Sequence, residues 1–496
     1  MKLSRVLIAV TFMGILAMAT HVSIDSDTWW HLRAGQYMVE NQKLMTADVF
    51  SYTSYGKEWQ YPGLWVQVFM YLIYDWFGPG GLNLWVSFSI VLIFWVVWKT
   101  TNGNLLFRSV ILILAAISSS IYWAARPYLV TYFLFAVYFY LLEQFMTKGK
   151  KLWLIPPLMI LWVNSHGGFL AGFLLFVPYI VDVVYEVIVE KKGDTGDGDN
   201  LTENGAKLKH LLAIFGLTFA ASFLSPQGAK LWTLPFSTVS RQAEQLFIAE
   251  WQSPDFHNNY LIPFALMIFL VMYVLGRSNK KAPNYTLLAL GGFGLLGLIS
   301  IRNIFFFAII APAAVTAYGT DELENISQSL KFNLKLDFEK RANGFGKIMN
   351  YFLIGLVGFV CILRIVIYIP TNINTSNLAQ IFPIEAVQYI KSRPGKLPGQ
   401  MFNAYNFGGY LIWALPNHPV YVDGRADLHE DEIILTWYEV WKGEPEWKSE
   451  LQKWDVGFVL LEPNAPLLEK LKNAGWREIY RDEVAVIAVD PNKNPN

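Results

Sequence analysis

The sequence predicts a polytopic α-helical membrane protein of about eleven spans with a C-terminal extracytoplasmic α/β domain. Two observations predict the membrane part. Apolar residues make up 54% of the 496 and charged residues only 16%, a balance that suits a lipid-embedded chain carrying a soluble portion. The apolar residues also fall in a succession of runs as far as about residue 370, separated by short loops in which basic residues recur. A third observation predicts the α/β domain: from about residue 371 the runs shorten and alternate with amphipathic stretches. The chain is therefore divided into a transmembrane part, 1–370, and a tail, 371–496.

Apolar runs place spans near 6–22, 81–98, 105–123, 128–146, 152–163, 168–190, 209–225, 261–275, 284–300, 304–318 and 348–370. Several are shorter than the ~20 residues of a straight span, which implies flanking polar residues or a water-filled cavity. The amino terminus, Met1-Lys2-Leu3-Ser4-Arg5 before an apolar run, has the form of a signal peptide, with Ala17-Met18-Ala19 as a cleavage-like site. A retained signal anchor is the preferred reading, because many spans follow. The segment 64–77 carries Gln67, Tyr71, Tyr74 and Asp75 among its aromatics. Lys2 and Arg5, Lys99 and Arg108, Lys148 to Lys151, Lys191 and Lys192, and Arg277 to Lys281 all fall on one side only if 64–77 does not cross. It is read as an interfacial helix within a first outer loop, 23–80. The amino terminus is then cytoplasmic and the tail outside, in the cytoplasmic (inner) membrane. The loop 191–208, rich in Gly, Asp, Asn and Lys, is read as a flexible cytoplasmic linker.

In the tail, 400–403, 419–423, 456–461 and 484–489 read as strands. Helices are expected around 405–415, 431–453 and 464–475. Net charge is zero, so no nucleic-acid partner is indicated. The single Cys361 lies in an apolar run, which excludes a disulfide framework and a cysteine metal site.

Asp25-Ser-Asp27-Thr-Trp-Trp-His31-Leu-Arg33 directly follows the first span. Ionisable groups crowded at a membrane boundary are costly and mark function. The plain alternative is an aromatic belt at Trp29 and Trp30 with Asp25 as a cap. Other polar motifs fall on the same side under this topology: Asp48, Arg126-Pro127, Asn164-Ser-His166-Gly-Gly168, Glu250, Arg302-Asn303 and the tail. Arg302 has no compensating acid nearby in sequence, which suits pairing with a phosphate or carboxylate. Arg126-Pro127 also reads as a turn opening a helix, His166-Gly-Gly168 as close helix packing, and Glu250 as a loop cap. Arg364 in the last span is read as snorkelling, without a functional role. In the tail, Asn406-Phe-Gly-Gly-Tyr410 and Asp423-Gly-Arg425-Ala-Asp427 lie at the carboxyl ends of expected strands, where α/β domains place ligands. His31, His166, His257, Asp27 and Glu250 offer metal-ligand types but no local ligand spacing. No metal ligand is assigned; a divalent metal stays open as a cofactor.

These residues carry a resemblance. An acidic first outer loop beside the membrane, an interfacial helix, many spans and an outer C-terminal domain resemble the GT-C glycosyltransferases, including protein mannosyl and aminoarabinose transferases. Asp27-Thr-Trp-Trp-His-Leu-Arg33-Ala is similar to the Asp-Pro-Trp-aromatic-x-aromatic-Arg-Ala stretch of oligosaccharyltransferase catalytic subunits. Asn406-Phe-Gly-Gly-Tyr410-Leu-Ile-Trp413, followed by Asp423-Gly-Arg425, resembles the Trp-Trp-Asp-Tyr-Gly region of the same enzymes. Two departures stand out. The Trp-Trp-Asp that reads an acceptor sequon is replaced by Ala404-Tyr405-Asn406. The second-loop Asp of related families, a metal-binding carboxylate, is replaced by Ala125-Arg126-Pro127.

The resemblance implies a polyprenyl-phosphate-linked sugar donor and a protein, lipid or glycan acceptor. Asp27 is the expected general base, with Asp25 as alternate. Substrate contacts are expected from His31, Arg33, Arg126, Asn164, His166, Glu250, Arg302, Asn406, Tyr410, Asp423 and Arg425, with Arg126 and Arg302 on the phosphate. A transporter or lipid flippase, or a non-catalytic membrane scaffold, are the alternatives. The absence of a sequence repeat disfavours transport.

Overall fold

The computed structural model describes residues 2–59, 61–192, 198–234, 236, 241, 248–329, 344–393 and 397–493. Helices dominate as far as Leu378, and a small sheet follows. Helix α1 is Leu3–Ala19, α2 Asp27–Asn41, α3 Leu64–Thr100, α4 Leu105–Ser119, α5 Tyr128–Lys148, α6 Ile155–Val163, α7 Leu170–Lys192 and α8 Gly198–Ala221. Four further helices, Ile262–Arg277, Asn284–Ile299, Ile304–Ser329 and Phe345–Tyr368, complete the bundle. Among the described residues seven helices are long and apolar enough to cross a membrane. The chain is a multi-pass membrane protein. Leu3–Ala19 and Asn284–Ile299 are shorter apolar helices.

Local chemistry sets several boundaries. The Asn104 side chain accepts from the N–H groups of Leu106 and Phe107 and so caps α4. Gly149, in the left-handed conformation, ends α5 with bonds back to Phe145 and Gln144. Gly78 (φ 63°) followed by Pro79 breaks α3 into two limbs, Leu64 to Phe77 and the long apolar run beyond. The first limb is the segment expected to lie at the interface, and Trp76 and Phe77 stand exposed on it.

The 191–208 linker is corrected in part. Residues 193–197 lie outside the described residues, but 198–208 belong to α8. Helix-forming Leu, Glu, Ala and Lys outweigh the polar composition there, and Glu203 pairs with Lys207 one turn on (2.8 Å).

The tail holds a four-stranded sheet in the order β1-β2-β4-β3, made of β1 Gln400–Asn403, β2 Val456–Leu461, β3 Arg477–Arg481 and β4 Val486–Val489. β1 runs parallel to β2, with Met401 opposite Phe458; β4 is antiparallel to both β2 and β3. β2 and β4 are buried throughout, as their apolar runs require. The helices Tyr405–Ala414, Ala426–Lys442 and Trp447–Lys453 form the crossover from β1 to β2.

The expected strand 419–423 is a correction. It forms no sheet strand, only a single bridge at Val420, because its polar backbone groups are taken elsewhere. Asn403 accepts from the Tyr421 N–H and donates to the Val422 carbonyl (both 2.8 Å). Val420 exchanges two bonds with the first loop, to Phe50 and Tyr52, around a single bridge between Ser51 and Val420. The segment therefore ties the tail to the first loop. β3 was not expected; its exposed, charged Arg477, Glu478 and Arg481 hide the strand pattern.

Candidate active site

Segments far apart in the chain meet at one end of the bundle around a cavity of about 940 Å³. Asp27 begins α2, and its N–H bonds the Asp25 carboxylate (2.8 Å). The loop before α5 is fastened beside it: the Ala125 N–H donates to Ser23 Oγ (2.7 Å), and Thr28 Oγ1 donates to the Ala125 carbonyl (2.9 Å). That fixes the backbone from which Arg126 projects. Glu250 comes from the short turn Ala249–Trp251 and Arg302 from Ile301–Asn303. Those two turns are joined by Ser300 Oγ donating to the Glu250 carbonyl (2.8 Å) and by the Ile301 N–H donating to the Gln252 carbonyl (3.0 Å). The Tyr132 hydroxyl, from α5, holds the Arg302 carbonyl (3.1 Å).

The Arg126 guanidinium sits at the centre. It reaches Asp27 Oδ2 at 2.7 Å, Glu250 Oε2 at 3.4 Å and Asp25 Oδ2 at 3.5 Å. Arg302 approaches the other oxygen of Glu250 at 3.7 Å and lies 4.1 Å over the Trp251 ring, a cation–π contact. Three carboxylates thus face two guanidiniums, and one negative charge is left over when all are ionised. Burial is the main cause that lifts the Asp27 carboxyl to about 7, opposed by Arg126 and assisted by Asp25. Burial also raises Asp25. Burial pushes Glu250 the same way, but Arg126 and Arg302 more than offset it and hold Glu250 below its usual value.

His166 lines the cavity. Burial, then Arg302 and Arg126, lower it to about 3, so the ring is neutral at ordinary pH. Its Nδ1 accepts from the Gly168 N–H (3.1 Å) and faces Thr131 Oγ1 (3.0 Å). The ring proton is therefore on Nε2.

The wall opposite comes from the tail. Tyr405, Asn406, Gly424, Ala426 and Asp427 line the cavity. A Cβ on Gly424 would stand 2.0 Å from Asp27 Oδ1, so only glycine allows this backbone to close over the carboxylate.

Of the expected site residues, Asp27, Arg126, His166, Glu250, Arg302 and Asn406 line the cavity, and Asp25 meets it through Arg126. Six others lie off the cavity lining. Asp423 and Arg425 have no exposed side-chain surface; Arg425 spans Asp423 (2.7 and 2.8 Å) and Asp48 (2.6 Å), and His429 meets Asp423 at 3.0 Å. They form a brace between the first loop and the tail. Tyr410 packs between Trp29 and Phe382 in the seam with α2. His31 is buried against Trp30 and Tyr61, with Nδ1 on Gln67 (3.0 Å). Arg33 turns to Gln36 (2.6 Å). Asn164 bonds the Ile160 and Leu224 carbonyls away from the cavity.

Sequence reasoning passed over the aromatic lining, Trp30, Tyr61, Tyr128, Tyr132 and Trp251. In the Asp-Gly-Arg-Ala-Asp motif it favoured the first two charges, whereas the last, Asp427, reaches the cavity, where the Trp59 Nε1–H donates to it (2.9 Å). Only a fold shows which end of that turn faces inward.

No family model matches the chain, and no curated protein matches it. Solved structures do. The archaeal oligosaccharyltransferase AglB from Archaeoglobus fulgidus, in complex with an inhibitory peptide and a dolichol-phosphate, superposes over 92% of this chain and 69% of its own, at 11% identity and a TM-score of 0.57. The Archaeoglobus fulgidus oligosaccharyltransferase tethered with an acceptor peptide gives 12% identity, 91% and 68% coverage and a TM-score of 0.56. ArnT from Cupriavidus metallidurans, bound to undecaprenyl phosphate, spans 100% of this chain and 98% of its own at 13% identity, but its TM-score of 0.49 is too low to carry weight. The chain has the fold of the GT-C membrane glycosyltransferases.

Proposed function

We propose that this protein transfers a sugar from a polyprenyl-phosphate-linked donor to an acceptor on the outer side of the cytoplasmic membrane. The observation that carries the reading is the convergence of Asp25, Asp27 and Glu250 with Arg126 and Arg302 on one aromatic-walled cavity. A carboxylate at such a place takes a proton from an acceptor hydroxyl or amide. Arginine forks stabilise a leaving phosphate. Asp27 Oδ2 is held by Arg126 and Oδ1 lies against Gly424, and the carboxylate, which lines the cavity, receives the acceptor proton. The acceptor then bonds to the anomeric carbon, and the bond from that carbon to the phosphate oxygen breaks. Its electron pair leaves with the phosphate, which Arg302 and Arg126 face. Asp25 is the alternate base.

The sidedness rests on charge. The cavity lies at the N-terminal ends of α5, α7 and the helix Ile262–Arg277. Lys148, Lys192 and Arg277 lie at the opposite ends of those helices. Basic ends favour the cytoplasmic side, which supports an outer position for the cavity.

The test is transfer of radiolabel from a panel of polyprenyl-phosphate sugars to membrane extract, comparing native protein with Asp27→Asn. Label incorporated only by the native protein is expected. Equal incorporation by the variant removes Asp27 as base. A native protein that neither binds nor turns over any donor of the panel removes the transferase reading and favours transport or scaffolding.

A further inference from the structure

A GT-C fold raises the question of a divalent cation. The residues here do not fit one. Among the described residues no three His, Cys, Asp or Glu side chains come together closely enough to hold a metal ion. Such an ion needs oxygens within ~2.0–2.6 Å of one point. Asp25, Asp27 and Glu250 are instead spread around a planar guanidinium, each meeting a different edge of it or sharing one at 2.7–3.5 Å.

We infer that Arg126, with Arg302 behind it, is a built-in replacement for a divalent cation, so that this site binds its phosphate-bearing ligand without metal. Four observations carry the inference. Arg126 occupies the focus of the three carboxylates rather than their rim. The residue before it is anchored twice, by Ser23 on the Ala125 N–H and by Thr28 on the Ala125 carbonyl, and the three carboxylates hold the guanidinium itself. The two guanidiniums bring two positive charges, the charge of one divalent ion. Glu250 bridges them, one oxygen to each, as a carboxylate bridges two cations. Arginine suits this role because its planar fork spans several oxygens at once and keeps its charge, whereas lysine offers a compact point charge.

The inference deepens the transferase reading, and its test contains no transfer step, so the two fail separately. The full chain is purified in nanodiscs. Mn²⁺ binding is followed by electron paramagnetic resonance, and binding of a polyprenyl phosphate is measured with EDTA and again with Mg²⁺. For native protein we expect no specific Mn²⁺ binding at about 1 mM, and a polyprenyl-phosphate affinity equal within about twofold in the two buffers. Arg126→Ala uncovers the three carboxylates and is expected to gain a Mn²⁺ site with a Kd of about 0.1 mM or tighter. Adding Glu250→Gln to Arg126→Ala is expected to abolish that site.

Specific Mn²⁺ binding by native protein that Glu250→Gln removes overturns the inference. So does a collapse of polyprenyl-phosphate binding in EDTA. A folded Arg126→Ala that gains no Mn²⁺ site overturns it as well, because the carboxylates then do not converge without the arginine. The native measurements decide the question even where Arg126→Ala does not fold.

Discussion

Arg126 and Asp27, ninety-nine positions apart in the chain, meet at 2.7 Å in the cavity wall. Burial and this pairing act against each other on Asp27, the proposed base. Burial lifts the carboxyl from 3.8 to about 7, and Arg126 opposes the rise without cancelling it. A general base acts ionised, so transfer should increase with pH through about 7. Asp25 is one of the causes that raise Asp27, so Asp25→Asn should move this limb to lower pH. The stability term runs the other way. A carboxyl raised by folding stabilises most below its unfolded value near 3.8, and that contribution is lost as pH rises through about 7. A pH profile of kcat/KM for native and Asp25→Asn protein checks the prediction; an unmoved limb argues that another group titrates.

Gly424 is a steric partner of Asp27. A methyl group there would stand 2.0 Å from Oδ1, on a backbone held by the neighbouring brace. The carboxylate must therefore give way, and turning it loosens its contact with Arg126. Gly424→Ala should reduce kcat by about tenfold or more, since small misplacements of a reacting group are costly. The Tm should fall only slightly. Native turnover in this variant would show that Asp27 has room to work in more than one position.

Much of this site was legible in the sequence. Asp27, Arg126, Glu250 and Arg302 each stand out as charges beside apolar runs, and basic loops placed them on one side. What could not be read was direction. Arg425 and Asp423 look as reactive as Asp27 in a string of letters, yet they satisfy each other and Asp48 inside the protein. Their partner lies hundreds of positions away, and neither spacing nor composition reports it. Tyr410 and His31 share this history, since a helix seam and a buried ring stack consume them. The strand expected at 419–423 failed for a related reason: Asn403 and the first loop take the hydrogen bonds that a sheet would have used.

Arg302 is half of the pair proposed to face the phosphate, and its contact with Glu250 is long at 3.7 Å. It is therefore freer than Arg126 to turn toward an incoming phosphate. Arg302→Ala should lower kcat/KM by roughly 10- to 100-fold, the scale of lost charge-assisted hydrogen bonds. Arg302→Lys should recover part of it, because charge survives and the fork does not. If Arg302→Ala leaves both donor affinity and turnover unchanged, the phosphate sits elsewhere in the cavity.

The brace of Asp48, Arg425, Asp423 and His429 makes a contrasting prediction. Asp48 and Arg425 have no exposed side-chain surface. Ser51 Oγ donates to Asp48 at 2.5 Å, and Arg425 lies 4.9 Å over the Trp59 ring. Asp48→Asn removes one charge from the buried pair and sets an amide NH2 against groups that donate to the carboxylate, the Ser51 N–H and hydroxyl or the Arg425 guanidinium. Breaking a buried pair on one side costs about 3–5 kcal/mol, so the Tm should fall by several degrees. Turnover should fall with it, because the brace positions Gly424 over Asp27. Asp27→Asn should behave in the opposite way: it keeps Arg126 paired with Asp25 and Glu250 and removes a carboxylate that burial already disfavours in its charged form. Its Tm should hold or rise while transfer stops. Melting curves and turnover measured together on the two variants separate a residue that holds the site from one that works in it; a native-like Tm for Asp48→Asn would show that the tail is fixed to the first loop by the Ser51–Val420 seam instead.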